Sequence, residues 1–449
     1  MKMLLSEIAA MVGGQHHGAD VAIASVSIDT RTLSAGALYV AIKGERFDGN
    51  DFVGQAAQMG AGAAIVHAGV VTELPHIVVA DSRLALAELA GAWRRKASVQ
   101  VVGVTGSNGK TTVKEMTAAV LSVAGETLFT QGNLNNDIGV PLTLLRINDI
   151  HRFAVIEMGA NHPGEIAYTS RYAQANVVVL NNAGAAHLEG FGDLDGVARA
   201  KGEIIETLQA DGIAVLNRDD RYFSYWQAVA GARKVLTFGL HGQADVSADG
   251  IHTELFGQGF RTVFRVHTPQ GTADAVLNLA GRHNVLNALA ATAAGLALGL
   301  ELAQIVTGLA QVQPVKGRLQ PLCGPLGNRI IDDTYNANAS SLKVGLDVLM
   351  ECGGVPWLVL GAFGELGSDS EALHADIGRL IKASGVERVW ATGEHARFAV
   401  DSFGAGAAFF PAQADLIAAV RQALHSEASI LVKGSRAQHM EHVVAALIG

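Results

Sequence analysis

Eight consecutive residues, Thr105-Gly106-Ser107-Asn108-Gly109-Lys110-Thr111-Thr112, carry the clearest chemistry in the chain. Gly106 and Gly109 let a backbone curl until its N–H groups converge. A helix opening at the end of the run adds the positive end of its dipole, so the segment suits a bound phosphate. Lys110 can reach the outer phosphates of a nucleotide, and the Thr111 hydroxyl can hold Mg²⁺. A strict G-x-x-x-x-G-K-[ST] pattern would need glycine at position 104, where Val104 stands, so the loop is a shortened one. The alternative is a chance lysine after a Gly-rich turn, and GKTT between strand and helix weighs against it. The loop alone does not choose among kinase, ATPase, GTPase and ligase.

Other residues extend the chemistry. Glu157 closes the apolar run that starts at Phe153. At the carboxyl end of a strand beside the loop strand it would face the ligand crevice of an open α/β sheet. A carboxylate there suits Mg²⁺, a hard cation that prefers oxygen; a strand-end surface charge is the alternative. His187 follows another apolar run and Lys201 lies in a helical stretch. Taken alone, each reads as readily as a satisfied or surface side chain.

The elements that must hold these residues follow from hydrophobic pattern. Apolar, β-branched runs bounded by Gly read as strands, and longer Ala/Leu segments as helices. Before residue 99 the strands are Leu38–Ile42, Ala63–Val66 and His76–Val79, followed by a helix over Leu84–Lys96. Leu4, Leu5, Ile8 and Val12 fit one face of a short helix. The second block has strands at Val99–Val104, Phe153–Glu157, Asn176–Leu180 and Gly212–Leu216, a helix from Thr111 to Val123, and further helical segments between. That alternation predicts a mainly parallel sheet with helices on both faces. Lys234 to Leu279 reads as short β segments in a smaller antiparallel sheet, and Asn284–Leu300 as a helix. Past Pro314, strands at Arg329–Asp332, Trp357–Leu360, Arg388–Ala391 and Ser429–Val432 alternate with helices such as Glu371–Ala383 and Leu416–Leu424, a second, Rossmann-like repeat. The expectation is therefore an α/β protein of three domains, 1–98, 99–313 and 314–449.

Size and composition agree. At roughly 100–200 residues per domain, 449 residues make about three. Hydrophobic residues reach 49%, enough for full cores. The net charge of −9, with basic residues scattered, argues against a nucleic-acid scaffold. Cys323 and Cys352 form neither a disulfide framework nor a metal signature and read as buried or inert thiols in a reducing cytosol. Ser6 and Glu7 interrupt the first apolar run, and the longest apolar stretch, Ala288 to Leu300, is too short to span a bilayer. A cytoplasmic protein without a membrane span is expected.

In order along the chain, several motifs resemble the Mur ligase family. They are TGSNGKTT, the run Asn133-Leu134-Asn135-Asn136-Asp137-Ile138-Gly139, Glu157-Met158-Gly159-Ala160-Asn161-His162, Asn181-Asn182-Ala183 with His187, and Ala200-Lys201-Gly202-Glu203. Gly281-Arg282-His283-Asn284, Asp333-Thr334-Tyr335-Asn336-Ala337-Asn338 and Lys433-Gly434-Ser435-Arg436 complete the series. Asp29-Thr30-Arg31 and the run from Gly36 to Gly49 resemble the uridine-nucleotide-binding domain of the third and fourth ligases, which folylpolyglutamate synthases lack. DTYNAN, where the third ligase carries DNPR, points to the member that adds D-alanyl-D-alanine. Ala339 replaces a common proline, and Ala362 replaces the aspartate of a GDM-x-EL run.

The resemblance implies a peptide ligase using ATP and Mg²⁺. It would phosphorylate the terminal carboxylate of UDP-N-acetylmuramoyl-tripeptide to an acyl phosphate, which the amine of D-alanyl-D-alanine attacks. It also implies roles. Lys110, Glu157, His187, Lys201 and Arg318 serve catalysis, and Thr111, Glu157, His187 and a carbamylated Lys201 hold metal. Besides the loop residues, Asn284 and Asn287 face the adenine, although Asn284 also suits helix capping. Arg318 meets phosphate and Asp333 meets ribose. Thr30, Arg31, Lys43 and Asp48 meet the uridine diphosphate; Asn135 and Asn136 meet the donor. Tyr335, Asn336, Asn338, Lys433, Ser435 and Arg436 face the peptide substrates. The alternatives are the ligase that adds lysine or diaminopimelate to the dipeptide nucleotide, and a P-loop NTPase switch. A monomer is expected, with a site completed when the last block swings in.

Overall fold

The runs VVGVT, FAVIE and VVVL are almost entirely apolar and β-branched, as strands covered on both faces must be. In the computed structural model they lie side by side. The model describes residues 2–449 except 45–46, 185–187, 242, 257–258, 365 and 367–368. Among the described residues, the central sheet has the order Lys234–Phe238, Ile213–Asn217, Val177–Leu180, Gln100–Thr105, Phe153–Glu157 and Thr127–Phe129, with every neighbour parallel. Val101, Val102, Val104, Val178, Val179 and Ile156 are fully buried. At about 1.5–3 kcal/mol per buried aliphatic side chain, this block gives the ligand loops a rigid base.

Register sets the site. Glu157 pairs with Val104 and Leu180 with Thr105, so three strands end level. The chain leaves the P-loop strand toward one edge and later returns to its other side, which makes the switch point where such sheets bind ligands. Helix Lys110–Ser122 starts directly from the loop, and helix Arg282–Ala297 packs against it.

Before this domain lies a five-stranded sheet in the order Gln15–His17, His76–Val79, Ala63–His67, Leu38–Val40, Val26–Ser27. Helix Ser82–Lys96 follows. Its N-cap, Asp81, accepts the N–H groups of Arg83 and Leu84 at 2.8 and 3.0 Å. Arg94 near its end is buried and donates to the Ala173 carbonyl at 3.0 Å, tying this domain to the next. The C-terminal sheet runs Gln320–Cys323, Arg329–Asp333, Ala428–Lys433, Val355–Gly361, Arg388–Thr392, Ala407–Phe409, parallel except for the first pair. Its register sets Asp333 opposite Lys433.

Two expectations need correction. Lys234–Phe238 is a parallel edge strand of the central sheet, and the antiparallel sheet that follows has long strands, Ser247–Phe256, Gly259–Thr268 and Gly271–Leu277. The first helix is Leu5–Val12, and Leu4, 43% exposed, belongs to the strand before it. Cys323 is exposed on an edge strand, whereas Cys352 is buried and its thiol is pushed up to about 11 by burial. The strands Thr127–Phe129, Gln320–Cys323 and Ala407–Phe409 add to those expected; they are short, partly exposed edge strands without the continuous apolar run that marks the central ones.

Candidate active site

The P-loop is held from behind by asparagines. Asn181 and Asn182, just past the strand Val177–Leu180, both donate to the Asn108 carbonyl at 3.0 Å, and Asn182 accepts the Asn108 N–H at 2.8 Å. Thr105 donates its hydroxyl to the Met158 carbonyl at 2.8 Å and Ser107 its own to Gly184 at 3.1 Å. Gly109 has φ +78°, and a Cβ there would fall 2.6 Å from Asn287 Oδ1 and 2.7 Å from Asn181 Nδ2, so only glycine fits. Lys110 folds over the loop, donating to the carbonyls of Gly106 at 2.8 Å and Ser107 at 3.2 Å. Desolvation lowers its pKa, partly offset by Glu157. Thr112 lines a small hollow with Asn284 and Arg318.

Glu157 is 2% exposed. One carboxylate oxygen accepts Asn135 Nδ2 at 2.8 Å; the other is sealed from solvent without a partner. A buried carboxylate oxygen left in that state needs a cation or a donor, so the position fits a hard metal ion. Lys201 sits in helix Leu194–Glu206, 2% exposed, with Nζ 5.2 Å from the Phe191 ring and a long 3.5 Å contact to the Ala160 carbonyl. Desolvation first, and repulsion from Lys110 second, pull its pKa down to about 7. It is therefore no ordinary surface lysine. His187 lies outside the described residues.

From the C-terminal side, Arg318 reaches the loop, its NH2 2.9 Å from the Thr111 hydroxyl and its Nε buried without a partner. The turn that aims it is unusual. Gly317 has φ +74° and Leu319 φ +49°, an uncommon conformation for leucine. The Arg318 guanidinium lies 4.2 Å from the centre of the Tyr335 ring, with Arg436 5.8 Å from the same ring. Asp333 accepts Lys433 Nζ at 2.5 Å, and the same amine donates to the Asn336 carbonyl at 3.1 Å. Asn338 caps helix Ala339–Glu351 through Ser341 N at 2.8 Å and donates to Asn108 Oδ1 at 2.9 Å. Asn108 in turn donates to Ser340 Oγ at 2.8 Å.

One cleft of about 1310 Å³ joins these groups. It takes in Ser107 to Thr112, Glu157, Asn135 and Asn136, Asn284 and Asn287, and Arg318 with Asp333. Tyr335, Asn336, Asn338, Lys433, Ser435 and Arg436 line its other side. Asn284 does not cap its helix: the N-cap is Gly281, and the Asn284 amide donates back to the Ala280 carbonyl at 2.8 Å while accepting from Asn287 at 3.2 Å. Thr30, Arg31, Lys43 and Asp48 do not line this cleft. They sit on the first domain, where Arg31 grips Asp29 at 2.7 Å and Asp48 pairs loosely with Lys43 at 3.9 Å, both carboxylates acting on the buried Tyr39. Thr30 is buried there. Sequence reasoning gave no role to Asn181, Asn182, Ser340 or the cleft-lining His283, whose pKa burial lowers to about 4. The Asn-Asn pair directly after a buried strand was the available signal.

Comparison with known proteins agrees with this geometry. Residues 22–100 match the model described as Mur ligase family, catalytic domain; 104–295 match the Mur ligase middle domain, and 317–436 the Mur ligase, glutamate ligase domain. The UDP-N-acetylmuramoyl-tripeptide--D-alanyl-D-alanine ligase of Escherichia coli K12 is 45% identical over all of this chain and 98% of its own length. The protein of that name from Bacillus subtilis is 34% identical over 100% and 99% of the two chains. A crystal structure of MurF from Acinetobacter baumannii superposes with TM-score 0.93 at 38% identity, covering 100% and 99%. MurF from Thermotoga maritima in complex with ADP superposes with TM-score 0.85 at 28% identity, covering 94% and 96%. Phosphate loop, orphaned carboxylate and opposing arginine thus sit in a framework shared from end to end, and the chain belongs to the Mur ligase family.

Proposed function

We propose that this protein joins D-alanyl-D-alanine to UDP-N-acetylmuramoyl-tripeptide at the expense of ATP, giving the pentapeptide nucleotide, ADP and phosphate for peptidoglycan synthesis. The observation that carries the reading is the 45% identity to a ligase of that name along the full chain. A carboxylate and an amine at neutral pH form a salt rather than an amide, so the acid must be activated. ATP supplies the phosphoryl group, and the acid becomes an acyl phosphate.

The chain's own part is to bring two anionic groups, the triphosphate and the donor carboxylate, together with the attacking amine and steady the charge that develops. The backbone from Ser107 to Thr112 cradles the triphosphate. Lys110 swings from its carbonyl partners to the outer phosphates. Arg318 offers the transferring group a permanent, forked cation, with its unpartnered Nε the free donor. Asn284 and Asn287 take the adenine and Asp333 the ribose. Asn135 and Asn136 hold the donor, whose uridine diphosphate lies against Thr30, Arg31, Lys43 and Asp48. Tyr335, Asn336, Asn338, Lys433, Ser435 and Arg436 surround the reacting peptide ends.

Mg²⁺, when bound, would neutralise phosphate charge, and Thr111, Glu157, His187 and a carbamylated Lys201 would hold it. Carbamylation requires a neutral amine, and a pKa of about 7 makes Lys201 one of few lysines that supply it near neutrality. Lys201→Ala is then inactive and regains activity with short carboxylates; full activity without them would end the carbamate assignment. The domains divide at 98/99 and 313/314, and the enzyme works as a cytoplasmic monomer supporting cell shape and division. No helix among the described residues is long and apolar enough to cross a membrane.

The decisive test is mass spectrometry of products from purified protein, ATP, Mg²⁺, the tripeptide nucleotide and D-alanyl-D-alanine. A pentapeptide nucleotide is expected. Product only from the dipeptide nucleotide with lysine or diaminopimelate, or ATP turnover indifferent to both peptides, overturns the proposal.

A further inference from the structure

Behind the C-terminal wall of the cleft, hydrogen bonds lead to a histidine that the chemistry above does not use. His374 is fully buried on helix Ser370–Ala383. Its Nδ1 lies 2.7 Å from the Ser370 carbonyl. A carbonyl only accepts, so Nδ1 carries the proton and Nε2 keeps its lone pair. That lone pair accepts the backbone N–H of Phe363 at 3.0 Å.

Phe363 lies in the segment that leaves strand Val355–Gly361 and sends Gly364 and Leu366 into the cleft wall. The carbonyl just before it, on Ala362, accepts both the hydroxyl of Ser435 at 2.8 Å and its N–H at 3.2 Å. Ser435 sits between Lys433, which grips Asp333, and Arg436, which faces the Tyr335 ring. The Ser435 hydroxyl proton is thus committed to the protein, and its oxygen is left to accept from a substrate. A clamp from His374 through Phe363 and Ala362 reaches the loop that borders the peptide substrates.

We infer that His374 is a positioning residue, which in its Nδ1–H tautomer anchors the backbone at Phe363 and so fixes the Ser435–Arg436 loop against the peptide substrates. The identity of those substrates rests on the proposed function. The clamp needs a donor and an acceptor on opposite sides of one side chain. Burial, with the His395 ring 5.8 Å away, lowers the His374 pKa and keeps the ring neutral. An aliphatic replacement fills the space but leaves the Phe363 N–H buried and unpaired, which costs about 1–3 kcal/mol. An amide supplies both functions.

Two measurements test this. In the native protein, ¹⁵N imidazole shifts should report the Nδ1–H tautomer and the Phe363 amide should exchange slowly; the Nε2–H tautomer overturns the inference whatever the variants do. In steady-state kinetics, His374→Leu should raise KM for D-alanyl-D-alanine or the tripeptide nucleotide about tenfold, as expected when an anchored loop drifts by a fraction of an ångström to an ångström. KM for ATP should stay within about twofold, and His374→Gln should recover most of the loss. Equal losses toward every substrate, or no loss in a folded His374→Leu protein, overturn it as well. If the native enzyme forms no pentapeptide nucleotide, the proposed function fails instead, and the tautomer result still reports on the clamp.

Discussion

Glu157 and Lys201 are buried ionisable side chains that the fold leaves poorly matched, and such mismatch collects where chemistry is done. Replacing Glu157 by Gln keeps the shape and removes the charge. Activity should fall by about 100-fold or more, while the melting temperature should not drop, because the unpartnered oxygen contributes no hydrogen bond to the fold. A variant of normal activity would remove Glu157 from the site. For Lys201 the effect runs through pH. An unfolded lysine holds its proton to 10.5, the buried one only to about 7. Between those values the unfolded chain binds more protons, so stability rises with pH through that window and is lowest below pH 7. In CO₂-free buffer, Lys201→Met should therefore melt above the parent at pH 7, with the gap closing toward pH 10; calorimetry showing a constant gap would contradict the assignment. The phosphate loop and Glu157 were legible in sequence because each is a short motif at a strand end. Asn181, Ser340 and His374 were not. Asn181 meets Asn287 and Asn108 meets Ser340 across separations of 106 and 232 residues, which no local pattern records.

At the scale of elements, the level ends of three parallel strands make the site, and the helices that leave those ends supply its tight turns. The turn at Gly109 allows no side chain. Gly109→Ala should cost about 1–3 kcal/mol from its φ of +78° and its contacts with two amides, and should weaken nucleotide binding more than peptide binding. Urea unfolding and ATP titration check both, and a neutral substitution would show that the loop rearranges freely. The buried strands were readable because continuous apolar runs have no other stable home than a covered sheet. The ten-residue strand Gly259–Thr268 reads as shorter pieces because buried residues alternate with partly buried ones, and Arg261, Arg265 and His267 interrupt its apolar run. For Lys234–Phe238, the parallel partner was settled by Ile213–Asn217 beside it rather than by its own sequence.

In the whole molecule, residues from the second and third domains already touch across the cleft, through Arg318 to Thr111 and through Asn338 and Ser340 to Asn108. Arg83 with Asp137 at 2.9 Å links the first domain to the second. Sequence order alone predicts a site shared among domains, but the choice of latch comes from tertiary packing. Ser340 touches Asn108 at the cleft rim and stands outside the proposed chemistry. Ser340→Ala should broaden the distribution of domain arrangements seen by small-angle scattering in the absence of ligand, and ATP with the tripeptide nucleotide should narrow it again. Identical profiles for the two proteins in both conditions would show that the latch carries no weight.

The contact between Arg318 and Thr111 has a pharmacological corollary. A compound that enters through the large cleft and takes its nucleotide end, against Thr111 and Arg318, would pry that guanidinium aside and silence turnover by disassembly. Raising the concentration of any peptide substrate would not dislodge such an agent, and resistance by tighter peptide binding would be closed to the cell.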